Sequence, residues 1–118
     1  MTSRRKLRDV NFLDLVPSRA IEWRDEPDGR ITLLRPKFIG GLMERWVQPR
    51  LRRPHYLIHL DEIGSAIWGL VDGVRTAGEI CAELELRFGD RVKPAHVRVP
   101  LFLRELDKGK MIRLSGLP

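Results

Sequence analysis

The residues best suited to chemistry are three histidines and one cysteine, His55, His59, His96 and Cys81. His55 and His59 belong to the alternating run HYLIHL, and on a strand they share a face but lie roughly 13 Å apart at about 3.3 Å per residue. That separation is too large for one metal ion. His96 is isolated in the sequence and is expected at the surface. The lone Cys81 cannot form an internal disulfide, and its apolar helical surroundings predict a buried thiol.

Other catalytic patterns are missing from the sequence. It shows no evident Ser/His/Asp or Cys/His set, and Gly40-Gly41 lacks the lysine that accompanies a phosphate-binding loop. We therefore expect a protein without catalytic activity, cofactor or metal site. No apolar run approaches the roughly 18 residues of a membrane span, and the first residues lack the apolar core of a secretion signal. The cytoplasm is the expected compartment, and we expect no membrane partner.

Size and charge narrow the class of protein further. The 118 residues, 42% hydrophobic and 32% charged, fit one folded domain. The net charge is +6, and all of the excess precedes the predicted helices: residues 1–59 hold 13 Lys or Arg and 7 Asp or Glu, whereas residues 60–118 hold 9 of each. A basic protein invites a nucleic-acid hypothesis, so the elements that carry the charge matter.

The first half of the chain predicts a basic arm and three strands. Residues 1–19 begin with the cluster RRKLR and are expected to form a flexible arm, with one helical turn before Pro17. Alternation of apolar and polar residues predicts strands over 20–24 and 30–35, joined by the turn DEPDG, and a third over 55–60. In that third strand Tyr56, Ile58 and Leu60 are expected to face the core. Residues 36–54 show no clear periodicity, and a short helix is expected at 42–47.

The second half predicts three helices. The first starts at the N-cap Asp61 and ends at Asp72-Gly73, and the second follows the capping box TAGE and ends at Gly89. Pro100 complicates the third, which either starts near Val99 or starts near Pro94 and is kinked. The last segment, KMIRL, is a strand or wing. A three-stranded antiparallel sheet followed by a three-helix bundle is an α+β fold of the winged helix-turn-helix type.

The ordered motifs DGRITLL, RPHYLIHLDEIGSAIW, LVDGVRTAGEI, ELRFGD and FLRELDKGKMIRL resemble the PqqD family, whose founding member serves in coenzyme PQQ biosynthesis. Its fold is also called the RiPP recognition element. The resemblance makes residues 20–118 one PqqD-like domain. The arm at 1–19, the insert at 38–54 and Pro100 depart from the family pattern.

The resemblance implies a non-catalytic peptide-binding module. Such proteins bind the leader of a ribosomally made precursor peptide as an extra strand and present it to a modifying enzyme, often a radical SAM enzyme. Transferred to this sequence, the edge is the strand His55, Tyr56, Leu57, Ile58 and His59. The opposing wall is Arg98, Leu101, Phe102 and Glu105, with Phe102 assigned equally to the core.

Two other functions stay open. The helix-turn-helix order and the net charge suggest DNA binding, but the second helix carries Glu79, Glu83 and Glu85 against Arg87, which suits phosphate contacts poorly. A nucleic-acid partner is therefore disfavoured. The exposed strand edge also suits a homodimer or a scaffold that docks on an enzyme subunit.

Overall fold

The computed structural model describes residues 11–37 and 55–116. Its contacts divide the chain into two compact units, one formed by residues 21–62 and the other by residues up to 20 together with residues from 63 onwards. The predicted insert at 38–54, including its short helix at 42–47, lies outside the described residues.

The first unit is a three-stranded antiparallel sheet. Its strands are β2 (Glu22–Asp25), β3 (Ile31–Pro36) and β4 (His55–His59), in the order β2-β3-β4. The β2-β3 turn contains Gly29 at φ 86°, a left-handed conformation that glycine adopts at no steric cost. The predicted hairpin and third strand are confirmed.

The second unit contains α1 (Glu62–Leu70), α2 (Ala77–Phe88) and α3 (Ala95–Lys108). The predicted capping box begins α2: the Thr76 hydroxyl accepts a hydrogen bond from the Glu79 N–H at 3.1 Å, and the Glu79 carboxylate accepts one from the Thr76 N–H at 2.9 Å. Gly89, at φ 58°, ends that helix. Three helices and a three-stranded sheet make the protein α+β, whereas the winged helix-turn-helix arrangement stays a prediction.

The same unit holds a two-stranded sheet. The sequence predicted its C-terminal strand but not its N-terminal strand. A single 3-10 turn, Phe12–Asp14, leads into β1 (Val16–Arg19), which pairs antiparallel with β5 (Ile112–Ser115). The expectation of a flexible arm is thus wrong for residues 11–19, while residues 1–10 lie outside the described part. The helical turn before Pro17 and the C-terminal strand are confirmed.

Contacts with the helices explain why this segment is ordered. The Ala77 N–H donates to the Leu15 carbonyl at 2.8 Å, and the Gly73 N–H donates to the Pro17 carbonyl at 2.9 Å. The Arg19 side chain donates to the Val71 carbonyl at 2.8 Å. Residues 11–19 therefore belong to the helical unit.

The core of this unit is built by the helices. Fully buried side chains come from all three helices and include Trp68, Ile80, Leu84 and Leu103. The helix α3 starts at Ala95 with Pro94 as its N-cap, so the alternative of a start near Val99 is wrong. Pro100 lies buried inside α3, where it has no N–H to offer the carbonyl one turn earlier. Among the described residues, no helix has the length and apolar character needed to cross a bilayer.

Candidate functional site

The outer edge of β4 is defined by its pairing with β3. The Leu60 N–H donates to the Ile31 carbonyl at 2.9 Å, and the antiparallel register pairs Ile58 with Leu33 and Tyr56 with Arg35. Hydrogen-bonded and non-hydrogen-bonded pairs alternate in such a ladder, so the backbone groups of Ile58 and Tyr56 point towards β3. Those of His55, Leu57 and His59 consequently point outwards. Within the described residues, β4 pairs with β3 alone.

The side chains of β4 are largely accessible on both faces of the sheet. Tyr56 is 53% exposed and Leu57 is 50% exposed. His59 is also exposed, whereas His55 and Ile58 are half-buried. An edge whose backbone groups point away from the neighbouring strand and whose side chains are accessible can accept another strand and read its side chains.

The expectation that Tyr56 faces the core is wrong. Its cross-strand partner is Arg35, and the Lys37 ammonium lies 5.3 Å from the centroid of its ring. Cations prefer hydrated positions, and a Tyr ring offers them an attractive face that still contacts water. Of the predicted row, only Leu60 is fully buried, at 7% exposure.

The other end of β4 is tied to the β2-β3 hairpin by a hydrogen-bonded chain. The buried Thr32 hydroxyl donates to the Glu26 carboxylate and lies 2.9 Å from His59 Nδ1. Because the only hydroxyl proton goes to Glu26, His59 Nδ1 must be the donor to Thr32. The hydrogen bond from Thr32, followed by that from Arg24, lowers the pKa of Glu26. This chain fixes the His59 ring against the sheet.

The predicted residues of α3 lie on one helical face in the second unit. Leu101 is 57% exposed, Arg98 and Glu105 are exposed, and Phe102 is half-buried at the border of the core. The Arg98 guanidinium donates to the Arg91 carbonyl at 2.6 Å, so this side chain also holds the turn before α3.

Sequence reasoning missed one residue of this face. Val97 is 46% exposed and precedes Leu101 by four residues, the spacing that places two side chains on one helical stripe. The spacing of Val97 and Leu101 was the available signal, but Pro100 left the start of the helix, and therefore the inclusion of Val97, undecided in the sequence.

The structure thus groups the predicted residues into five on β4 and four on α3. Each group is formed within its own unit. That both groups contact one ligand stays a prediction.

Cys81 and His96, two of the residues considered first for chemistry, lie on α2 and α3. Cys81 is 6% exposed and its thiol contacts the Ala95 carbonyl at 3.4 Å, which confirms the predicted buried thiol. Burial, and secondarily Glu85, raises its pKa. His96 is exposed, as expected. Over residues 11–37 and 55–116, no group of three or more His, Cys, Asp or Glu side chains could hold a metal ion.

Comparison with known proteins identifies one family. The family model described as Coenzyme PQQ synthesis protein D (PqqD) matches residues 49–112. The match covers more than half of the chain and includes β4, all three helices and the first residue of β5. Searches of curated proteins and of solved structures found no significant match.

Proposed function

The chain belongs to the PqqD family, and from this premise we propose that it is a non-catalytic module that binds an extended peptide along β4. The peptide is the leader of a ribosomally made precursor. The protein presents it to a modifying enzyme, with a radical SAM enzyme of cofactor or peptide natural-product synthesis as the expected class. The family itself is named for coenzyme PQQ synthesis.

The observation that carries the proposal is the outward direction of the backbone groups of His55, Leu57 and His59, which follows from the β3-β4 register. Three alternate residues of an edge offer their N–H and C=O groups at the spacing that an incoming strand needs. Main-chain bonds of this type provide affinity, and the side chains beside them provide selectivity.

The face of α3 supplies the second set of contacts in this proposal. Leu101 and Val97 offer exposed apolar surface, and Arg98 and Glu105 offer charges of both signs. Substituting Leu101 tests this contact separately from the β4 edge. If the peptide binds β4 without contacting α3, the Leu101→Ala protein should bind it as tightly as the wild type does.

The same edge suits a second copy of the chain, which gives a homodimer as the competing outcome. Duplex DNA is a poorer partner, because Glu79 and Glu85 are exposed on α2 and would face phosphates unfavourably. Light scattering at increasing protein concentration distinguishes the homodimer, and a salt-dependent mobility shift distinguishes DNA.

The test of the proposal is a titration of fluorescein-labelled precursor leaders, encoded near the gene, followed by fluorescence anisotropy. We expect saturable binding to a monomeric protein with a Kd of about 1 μM, or about −8 kcal/mol. The matched control is the same peptide with N-methylated backbone amides, which retains the side chains but loses alternate N–H donors. Equal affinity for both peptides, or no binding by any leader, would contradict strand addition.

A further inference from the structure

The β3-β4 register arranges the accessible side chains of the edge in a fixed order on the two faces of the sheet. Tyr56, Arg35 and Lys37 share one face, since Tyr56 and Arg35 are cross-strand partners and Lys37 follows Arg35 by two residues. Further along β4 the same face carries Ile58, opposite the buried Leu33. The edge therefore changes from cationic and aromatic to apolar within two residues.

The opposite face is apolar at its centre. Leu57 is half-exposed and is paired with the half-buried Leu34. A strand added beside β4 places one of its side chains next to Leu57 on this face and the two neighbouring ones next to Tyr56 and Ile58 on the other. Along β4, an added strand therefore meets the cations Arg35 and Lys37 beside Tyr56, and then apolar surface at Leu57 and at Ile58.

From this arrangement we infer that the bound peptide carries an acidic side chain opposite Tyr56 and two apolar side chains opposite Leu57 and Ile58. The inference rests on the proposed function and specifies the chemical class of peptide that this edge selects. In an antiparallel addition the peptide reads apolar, apolar, acidic from its N-terminal side, and in a parallel addition it reads acidic, apolar, apolar.

Pair geometry strengthens the acidic preference. Backbone bonds to an antiparallel incoming strand come from His55, Leu57 and His59, so Tyr56 occupies a non-hydrogen-bonded pair with it. In such pairs the Cα atoms are closer, about 4.5 Å against about 5.5 Å, and the side chains approach each other. A carboxylate opposite Tyr56 then lies beside the ring that already holds the Lys37 ammonium 5.3 Å from its centroid. An attractive charge pair results, whereas a lysine at that position would face Lys37 and Arg35.

The test uses six labelled nine-residue probes. Two have the sequences TTTVVETTT and TTTEVVTTT, which cover both chain directions, and each is also made with glutamine or lysine in place of glutamate. Threonine and valine favour the extended conformation. Anisotropy titrations at low salt first identify which of the two sequences binds more tightly. For that sequence they then measure the affinities of the glutamate, glutamine and lysine probes relative to one another. Amide shifts of β4 establish that the probe binds there.

We expect the lysine probe to bind about twofold to fivefold more weakly than the glutamate probe, the size that exposed charge pairs allow, with glutamine between them. The ratio should fall towards one at about 1 M salt, where the Debye length is about 3 Å. Lys37→Gln should reduce this ratio, and Lys37→Glu, which places a new carboxylate beside the remaining cation Arg35, should bring it close to one. The matched control is Arg30→Glu, the same change of charge at the opposite end of β3, which should leave the order intact.

The outcomes separate this inference from the proposed function. Probes that shift β4 amides with equal affinity, or an order that Arg30→Glu changes as much as Lys37→Glu does, would overturn the charge preference while strand addition stands. A precursor leader that binds β4 when no probe binds would also overturn the inference. If neither leader nor probe binds, both the inference and the proposed function fail.

Discussion

Replacing Leu57 by proline distinguishes the outer edge of β4 from its inner ladder. The register directs the Leu57 N–H away from β3, so proline at this position removes no hydrogen bond within the sheet. Proline is tolerated on edge strands when the missing N–H would face solvent. Leu57 is 50% exposed, and its loss should leave the protein folded.

The expected effect on peptide affinity follows from the lost edge contact. One hydrogen bond contributes about 0.5–1.5 kcal/mol net, and a peptide carbonyl left unsatisfied against the proline ring costs about 1–3 kcal/mol. A loss of about 1.4–2.8 kcal/mol corresponds to roughly 10-fold to 100-fold weaker binding. Leu57→Val is the matched control, because it shortens the side chain to a similar size and retains the N–H.

The assay is the anisotropy titration of a precursor leader, with thermal unfolding as the check on folding. Ile58→Pro provides the contrast, since its N–H points towards β3 and its substitution removes a ladder hydrogen bond and should destabilise the fold by about 1–3 kcal/mol. Equal peptide affinities for folded Leu57→Pro and Leu57→Val would refute strand addition along this edge.

Three further predictions concern the helical unit. Thr76→Ala removes the cap on α2 and should lower the free energy of unfolding by about 1 kcal/mol in denaturant titration, whereas Thr76→Ser should restore most of it. The Cys81 thiol should react with a thiol reagent at pH 8 only after denaturation, because it is buried and its pKa is raised; rapid reaction of the folded protein would contradict the core position. Hydrogen bonds from the Arg75 and Val74 N–H groups lower the pKa of Asp72. The Asp72 carboxylate therefore stabilises the fold above the ordinary aspartate pKa, and this contribution is lost as the pH falls through the lowered pKa. Asp72→Asn retains a side-chain oxygen for those bonds and should therefore lose less thermal stability than the wild type between pH 5 and pH 3.

Local patterns were sufficient to predict most of the elements. Alternation located β2, β3 and β4, and the spacing of apolar residues located α1 and α2. The capping box at Thr76 and the positive φ of Gly89 are signals contained within a few residues. Such elements follow from neighbours in the sequence.

The missed element depends on distant partners. Strand β1 pairs Val16 with Ser115, two residues that are separated by nearly the full length of the sequence. Pro17 within β1 also obscures the strand pattern. Its order comes from β5 and from the backbone bonds to Gly73 and Ala77, none of which is local in sequence.

The strand that carries the candidate site was predicted in position, but the environments of its side chains were only partly predicted. The edge strand was placed correctly, yet Tyr56 was assigned to the core because alternation treats aromatic residues as apolar. Its exposure follows from Arg35 across the ladder and Lys37 over the ring, which only the register brings together. Val97 was missed for a related reason, since its exposure depends on which face of α3 packs.

The most direct measurement of the central claim is hydrogen exchange at the individual backbone amides of β4, with and without a saturating precursor leader. Strand addition predicts an alternating result: the Leu57 and His59 amides exchange rapidly in the free protein and slow on binding, while the Tyr56 and Ile58 amides, bonded to β3, are slow in both states. Saturable peptide binding that leaves the Leu57 and His59 amides rapid would contradict the claim.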